Sequence, residues 1–122
     1  MANQYKYKTL LDSVSSTQTG GTTGVSGYKK VGFQFKLANV VSGNGVFKVQ
    51  GTMNGTDWSF LNFVDNLANS NSQTLTRVAS KTLSANGNAV VWLDGDLPLM
   101  AVRTSVTKTT DGSYSVYLIA SE

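Results

Sequence analysis

The acids of this sequence are six aspartates and one glutamate. Asp94 and Asp96 flank Gly95, and theirs is the one spacing that resembles a paired-carboxylate site. A calcium ion takes six or more oxygen ligands, and a glycosidase holds two carboxylates at fixed separation across a cleft. Two aspartates around one glycine more readily shape a turn. The sequence contains no His and no Cys. Zinc fingers, iron–sulfur clusters, His- or Cys-ligated haem, disulfides and thiol nucleophiles are thereby excluded. The usual general base near neutral pH is missing as well. Serines and threonines number 14 each, with no imidazole to activate one. The glycines punctuate strands and do not open a helix, so they form no phosphate loop. The expectation is a chain with no catalytic residues, no cofactor and no metal.

Binding chemistry has two candidates. Trp58 and Trp92 are the aromatic surfaces for a sugar platform, yet both lie in alternating apolar runs and read as packing residues. Asn54-Gly55-Thr56 is a formal glycosylation sequon, which here reads as a turn. The ten Lys and Arg residues are scattered and give a net charge of +3. A nucleic-acid binder gathers its cations into a stripe. The expectation is a solvated surface and no specific nucleic acid.

Any such residues must be positioned by β-structure. The 122 residues include 14 valines, 12 glycines, 10 asparagines and one proline. Charged residues are 14% of the chain, well under the usual quarter. This composition favours strands and turns over helices. No stretch approaches 18 apolar residues, so no membrane span is expected. The first residues, Met1 to Lys6, are too polar to open a secretory signal peptide.

Period-2 alternation predicts about eight strands. Tyr5 to Leu11 is the first, with Tyr5, Tyr7 and Thr9 alternating with Lys6 and Lys8. Asp12 to Gly27, rich in Ser, Thr and Gly, reads as a long flexible loop. Tyr28 to Leu37 is the clearest strand, with Val31, Phe33, Phe35 and Leu37 on one face. Val46 to Met53, Trp58 to Val64, Thr74 to Leu83, Ala89 to Leu93, Leu99 to Thr107 and Tyr114 to Ala120 complete the set. Shared parity predicts a core of Val31, Phe33, Phe35, Phe47, Val49, Trp58, Phe60, Met100, Val102, Val116 and Leu118. The predicted architecture is all-β: one domain over 1–122, a two-sheet antiparallel β-sandwich of jelly-roll or Greek-key kind. Residues 1–27 are its N-terminal strand and flexible loop.

The segment Phe47-Lys48-Val49-Gln50-Gly51-Thr52-Met53-Asn54-Gly55-Thr56-Asp57-Trp58 resembles a pattern of small structural proteins of tailed bacteriophages: a strand, then Gly-Thr-x-Trp, then an apolar strand. The flanks agree. Leu10 to Val14 and Ser26 to Val31 look like the opening of such proteins, and Leu99 to Val106 with Ser115 to Leu118 like their ending. The resemblance implies a β-sandwich virion component, a capsid auxiliary or decoration protein that packs against the major capsid protein or other virion proteins. It implies a homo-oligomer, a trimer for instance, on the capsid exterior, made in the bacterial host cytoplasm. No catalytic residues carry over. Gly55 is expected to supply a positive φ and Trp58 to anchor one end of the core. The competing readings are a glycan-binding adhesion module of a phage tail or fibre and a non-viral carbohydrate-binding module. Exposure of Trp58, Trp92, Tyr5 and Tyr7 separates them from the first. The candidate partner interface is Tyr5, Lys6, Tyr7 and Lys8, on a strand whose long connector lets it pair with its own sheet or a neighbour's.

Overall fold

A computed structural model describes residues 5–65, 77–93, 98–109 and 111–122. Eleven strands run in chain order: β1 (Tyr5–Val14), β2 (Gln18–Gly24), β3 (Lys30–Ala38), β4 (Gly45–Thr52), β5 (Ser59–Leu61), β6 (Phe63–Asp65), β7 (Arg77–Val78), β8 (Lys81–Leu83), β9 (Gly87–Trp92), β10 (Ala101–Lys108) and β11 (Ser113–Ser121). They form two antiparallel sheets, one ordered β1-β11-β3-β9-β6-β7 and the other β2-β10-β4-β5, with β8 also on β4. The chain is all-β, a two-sheet sandwich, as its alternation predicts; no helix occurs among the described residues.

The core forms where alternation is cleanest. β3 buries Val31, Phe33, Phe35 and Leu37, and β11 buries Tyr114, Val116, Leu118 and Ala120. Phe35, from one sheet, stacks on Phe47 of the other at 4.7 Å between centroids. Phe63 meets Phe35 edge-on at 5.8 Å, and Tyr114 meets Phe47 at 6.1 Å. The contacts of Phe47 with Phe35 and Tyr114 join the sheets, Phe63 packs beside Phe35 within its own sheet, and all add to the burial of apolar area. An ion pair also spans the layers. Lys81 Nζ of β8 lies 2.9 Å from the buried Asp65 carboxylate of β6.

Three predicted features are corrected. The segment Asp12 to Gly27 is ordered into the sandwich: β1 continues to Val14, and β2 pairs with β10 from Gln18 to Gly24. Glycine permits this close packing. Gly21 has φ +72°, and a Cβ there would sit 2.4 Å from Leu10 Cβ. One residue of β10, Arg103, opposes two of β2, Gly21 and Thr22, at this point, a bulge that the glycine accommodates. The run Trp58 to Val64 is two strands, since the chain leaves β5 for β6, in the other sheet, across Asn62. Thr74 to Leu83 holds both β7 and β8; its first three residues lie outside the described set.

Trp58, Phe60 and Met100 are not core residues. Phe60 pairs with the outward-facing Gln50, while Leu61 pairs with the buried Val49, so the inward parity is opposite to that predicted. Phe60 and Met100 are exposed, and Trp58 is half-buried just ahead of β5. Met100 precedes β10, whose first two residues, Ala101 and Val102, are both buried. Gly55 does carry the expected positive φ, +82°.

Candidate functional site

Antiparallel pairing puts directly opposed residues on one face. On the outer face of the six-stranded sheet the register therefore builds two rows. Tyr7, Ile119, Gly32 and Trp92 form the first, across β1, β11, β3 and β9. Thr9, Tyr117, Gln34 and Val90 form the second. Tyr7 is 73% exposed, Tyr5 55%, Val90 49% and Ile119 42%. A solvent-facing sheet surface is ordinarily polar, and this one is aromatic and aliphatic. Gly32 leaves a gap between Ile119 and Trp92, and a groove of about 770 Å³ opens over it. Lys29 and Lys30 line the groove's end, and Lys36 shares the outward parity of Gly32 and Gln34 farther along β3.

Tyr5, Lys6, Tyr7 and Lys8 are only partly brought together. Tyr5 and Tyr7 join the outer face. Lys6 and Lys8 pair with the core-facing Ala120 and Leu118, so they project at the sheet margin on the side opposite to Tyr5 and Tyr7. Lys6 Nζ donates to the Gly24 carbonyl at 2.7 Å, tying β1 to the end of β2. Phe33 and Phe35 are core residues beneath the groove. The sequence reading missed Gly32, Val90 and Ile119. The available signal was parity: Ile119 and Tyr117 alternate with buried Leu118, and Val90 separates buried Ala89 from Val91.

The outer face of the five-stranded sheet is satisfied internally. The Arg103 guanidinium lies 4.2 Å from the centroid of the Trp58 ring, and Arg103 Nε donates to Gln50 Oε1 at 2.7 Å. Lys48 Nζ sits 5.3 Å over the Phe60 ring. Trp58 thus has a cation on its ring and offers no bare platform. Beside it, Asn54 Oδ1 accepts the N–H groups of Thr56 and Asp57, both at 2.8 Å, so the sequon asparagine builds the turn.

No catalytic constellation forms among the described residues. No three metal-binding side chains gather there, and Asp94 and Asp96 lie outside the described set. Asp111 works structurally. Its carboxylate accepts the Val41, Ser42 and Gly43 N–H groups at 3.0 to 3.4 Å. The Val41 bond above all, with those of Ser42 and Gly43, holds its pKa below the ordinary 3.8 against desolvation. Burial pushes the Tyr114 hydroxyl above 10.0, as does nearby Asp111; it donates to the Asp111 carbonyl at 2.8 Å. Ser105 and Lys108 have a Ser-x-x-Lys spacing, but an odd offset in a strand puts them on opposite faces. Lys108 Nζ donates instead to the Ser15 carbonyl at 2.8 Å.

No known protein-family profile matches the chain, and no curated protein matches its sequence. Among solved structures, the crystal structure of the SPBc2 prophage-derived protein YomS superposes with a TM-score of 0.73. The match covers 100% of this chain and 96% of that one at 14% identity, a likeness of fold.

Proposed function

We propose that this chain is a structural protein of a bacteriophage virion, a capsid decoration or auxiliary protein that works by association and not by turnover. The observation that carries the reading is the likeness, over the whole chain, to a protein described as prophage-derived. Three further features support it. Histidine, the usual general base near neutral pH, and cysteine are absent. Tyr5, Tyr7, Val90 and Ile119 are exposed on the outer face of the six-stranded sheet. Strand β1 lies at a sheet edge, where backbone groups are open to another chain. On this reading the protein is a homo-oligomer on the capsid exterior, in contact with the major capsid protein or its neighbours.

A second reading has one observation in its favour. Tyr5 and Tyr7 are exposed and Trp92 is half-buried beside a groove, as a glycan-binding module of a tail or fibre requires. One experiment tests both. Particles produced from the genome that encodes the chain are purified, and electron microscopy locates the chain. Density on the capsid shell supports decoration; density on tail or fibre supports adhesion. Absence of the chain from purified particles overturns both.

A further inference from the structure

Gly32 is the unusual residue of the groove. A glycine inside a strand costs stability, and it marks a bulge, a bend or a close approach by something else. The first two do not apply. β3 keeps unbroken register with β11 on one side and β9 on the other, and Gly32 is not among the positive-φ glycines. A Cβ there would meet its nearest atoms at 3.4 Å (Val91 O) and 3.6 Å (Ile119 Cγ2), so the backbone and neighbours tolerate a side chain. What the glycine preserves is a slot about one methyl wide between Ile119 and Trp92, at the floor of the groove.

Charge indicates what fills it. The outward positions of β3 carry Lys30 and Lys36, and Lys29 lines the groove. The residues lining the groove include Lys29 and Lys30 and no acid; Asp12, next to buried Leu11 on β1, and Glu122, after β11, lie outside that lining. That balance favours an acidic occupant over one that brings further lysines. Aliphatic Ile119 and Val90 beside a single amide, Gln34, suit an apolar side chain better than a ring of sugar hydroxyls. We propose that the groove receives an acidic segment of a protein partner, one large apolar side chain seated over Gly32 and its carboxylates near Lys29 and Lys30. The inference rests on the reading that the chain works by association, and it names the chemistry of the partner.

The test titrates the isotopically labelled full chain and follows amide shifts. The probes are a peptide with a Leu-Trp centre flanked by glutamates, the same centre flanked by lysines, and polygalacturonate. The glutamate-flanked peptide should shift Gly32, Val90, Trp92 and Ile119, and bind about tenfold or more tighter than its lysine-flanked twin, with the gap shrinking in high salt. Gly32→Val, a β-branched residue suited to a strand, should abolish those shifts. Lys30→Glu is the second variant should Gly32→Val fail to fold, and it should reverse the preference between the peptides. No groove shifts with the acidic peptide, equal binding of both peptides, or unchanged binding to a folded Gly32→Val protein would each overturn the proposal. Polygalacturonate shifting the same amides in place of the peptides would make the face a glycan site and also overturn it. Failure here is separable from failure of the function. If wild-type chain and Gly32→Val decorate particles equally, the groove is wrong and decoration stands; if neither appears on particles while the acidic peptide binds, the reverse holds.

Discussion

The two outer faces of the sandwich use similar side chains to opposite ends. On the five-stranded sheet, Arg103 lies over Trp58, Lys48 lies over Phe60, and Gln50 accepts from Arg103 Nε. Each of these two rings has a cation over it, although Phe60 keeps 61% exposure. On the six-stranded sheet, Tyr5, Tyr7, Ile119 and Val90 face outward at 42% exposure or more, and no cation–ring contact is recorded there among the described residues. Composition alone therefore does not mark a binding face. What marks it is whether neighbouring side chains have already satisfied one another.

The strongest test of this contrast removes the floor common to both faces. Phe35→Ala deletes the ring that stacks on Phe47 and meets Phe63, and should cost about 3–5 kcal/mol. Denaturant unfolding measures it; an unchanged midpoint would mean the sheets are not joined there. Next is the ring–cation face. Arg103→Ala should cost about 0.5–2 kcal/mol, because half-buried Arg103 places its guanidinium over Trp58 and donates to Gln50. It should also leave Trp58 more quenchable by iodide. Tyr7→Ser on the open face should stay within about 0.5 kcal/mol of wild type in stability. Partner or particle binding, measured alongside, should fall; a stability loss like that of Arg103→Ala would show that both faces are structural.

Acid gives a smaller, graded comparison. Asp111 has a lowered pKa in the folded chain because it holds the Val41, Ser42 and Gly43 amides. Its contribution to stability is complete above the unfolded value near 3.8 and fades as pH falls through the lower folded value. Asp111→Asn should flatten the acid side of the stability curve, read by thermal melts across pH. The smallest expected effect is inside the core. Thr104 Oγ1 is buried with no hydrogen-bond partner among the described residues. Thr104→Val should be neutral or slightly stabilising in the same melts.

How far the sequence is legible follows local physics. β3 and β11 are readable because their inward and outward residues differ in kind at every step. β2 is not, because its pairing depends on what glycine allows: Gly21 lets the strand press against Leu10, a contact 11 residues away that composition does not encode. The Trp58 to Val64 run misleads because a handover between sheets at Asn62 resets which parity is inward. The groove was half-legible. Tyr5 and Tyr7 stood out, but Ile119 and Val90 sit among buried neighbours and look like core until the register places them outside.

One pairing also constrains when the protein becomes a protein. β1 has its sheet partner in β11, so Tyr5 waits for Ser121 and Thr9 for Tyr117. The first strand of the sandwich is thus completed by the eleventh. Until β11 is in place β1 lacks its hydrogen-bonded neighbour and carries an unsatisfied edge and a tyrosine-bearing face. Long loops must close before most contacts are rewarded, and such topologies fold in milliseconds to seconds. The groove row that runs from Tyr7 through Ile119 exists only after that closure, so ligand competence and closure of the sheet arrive in a single step.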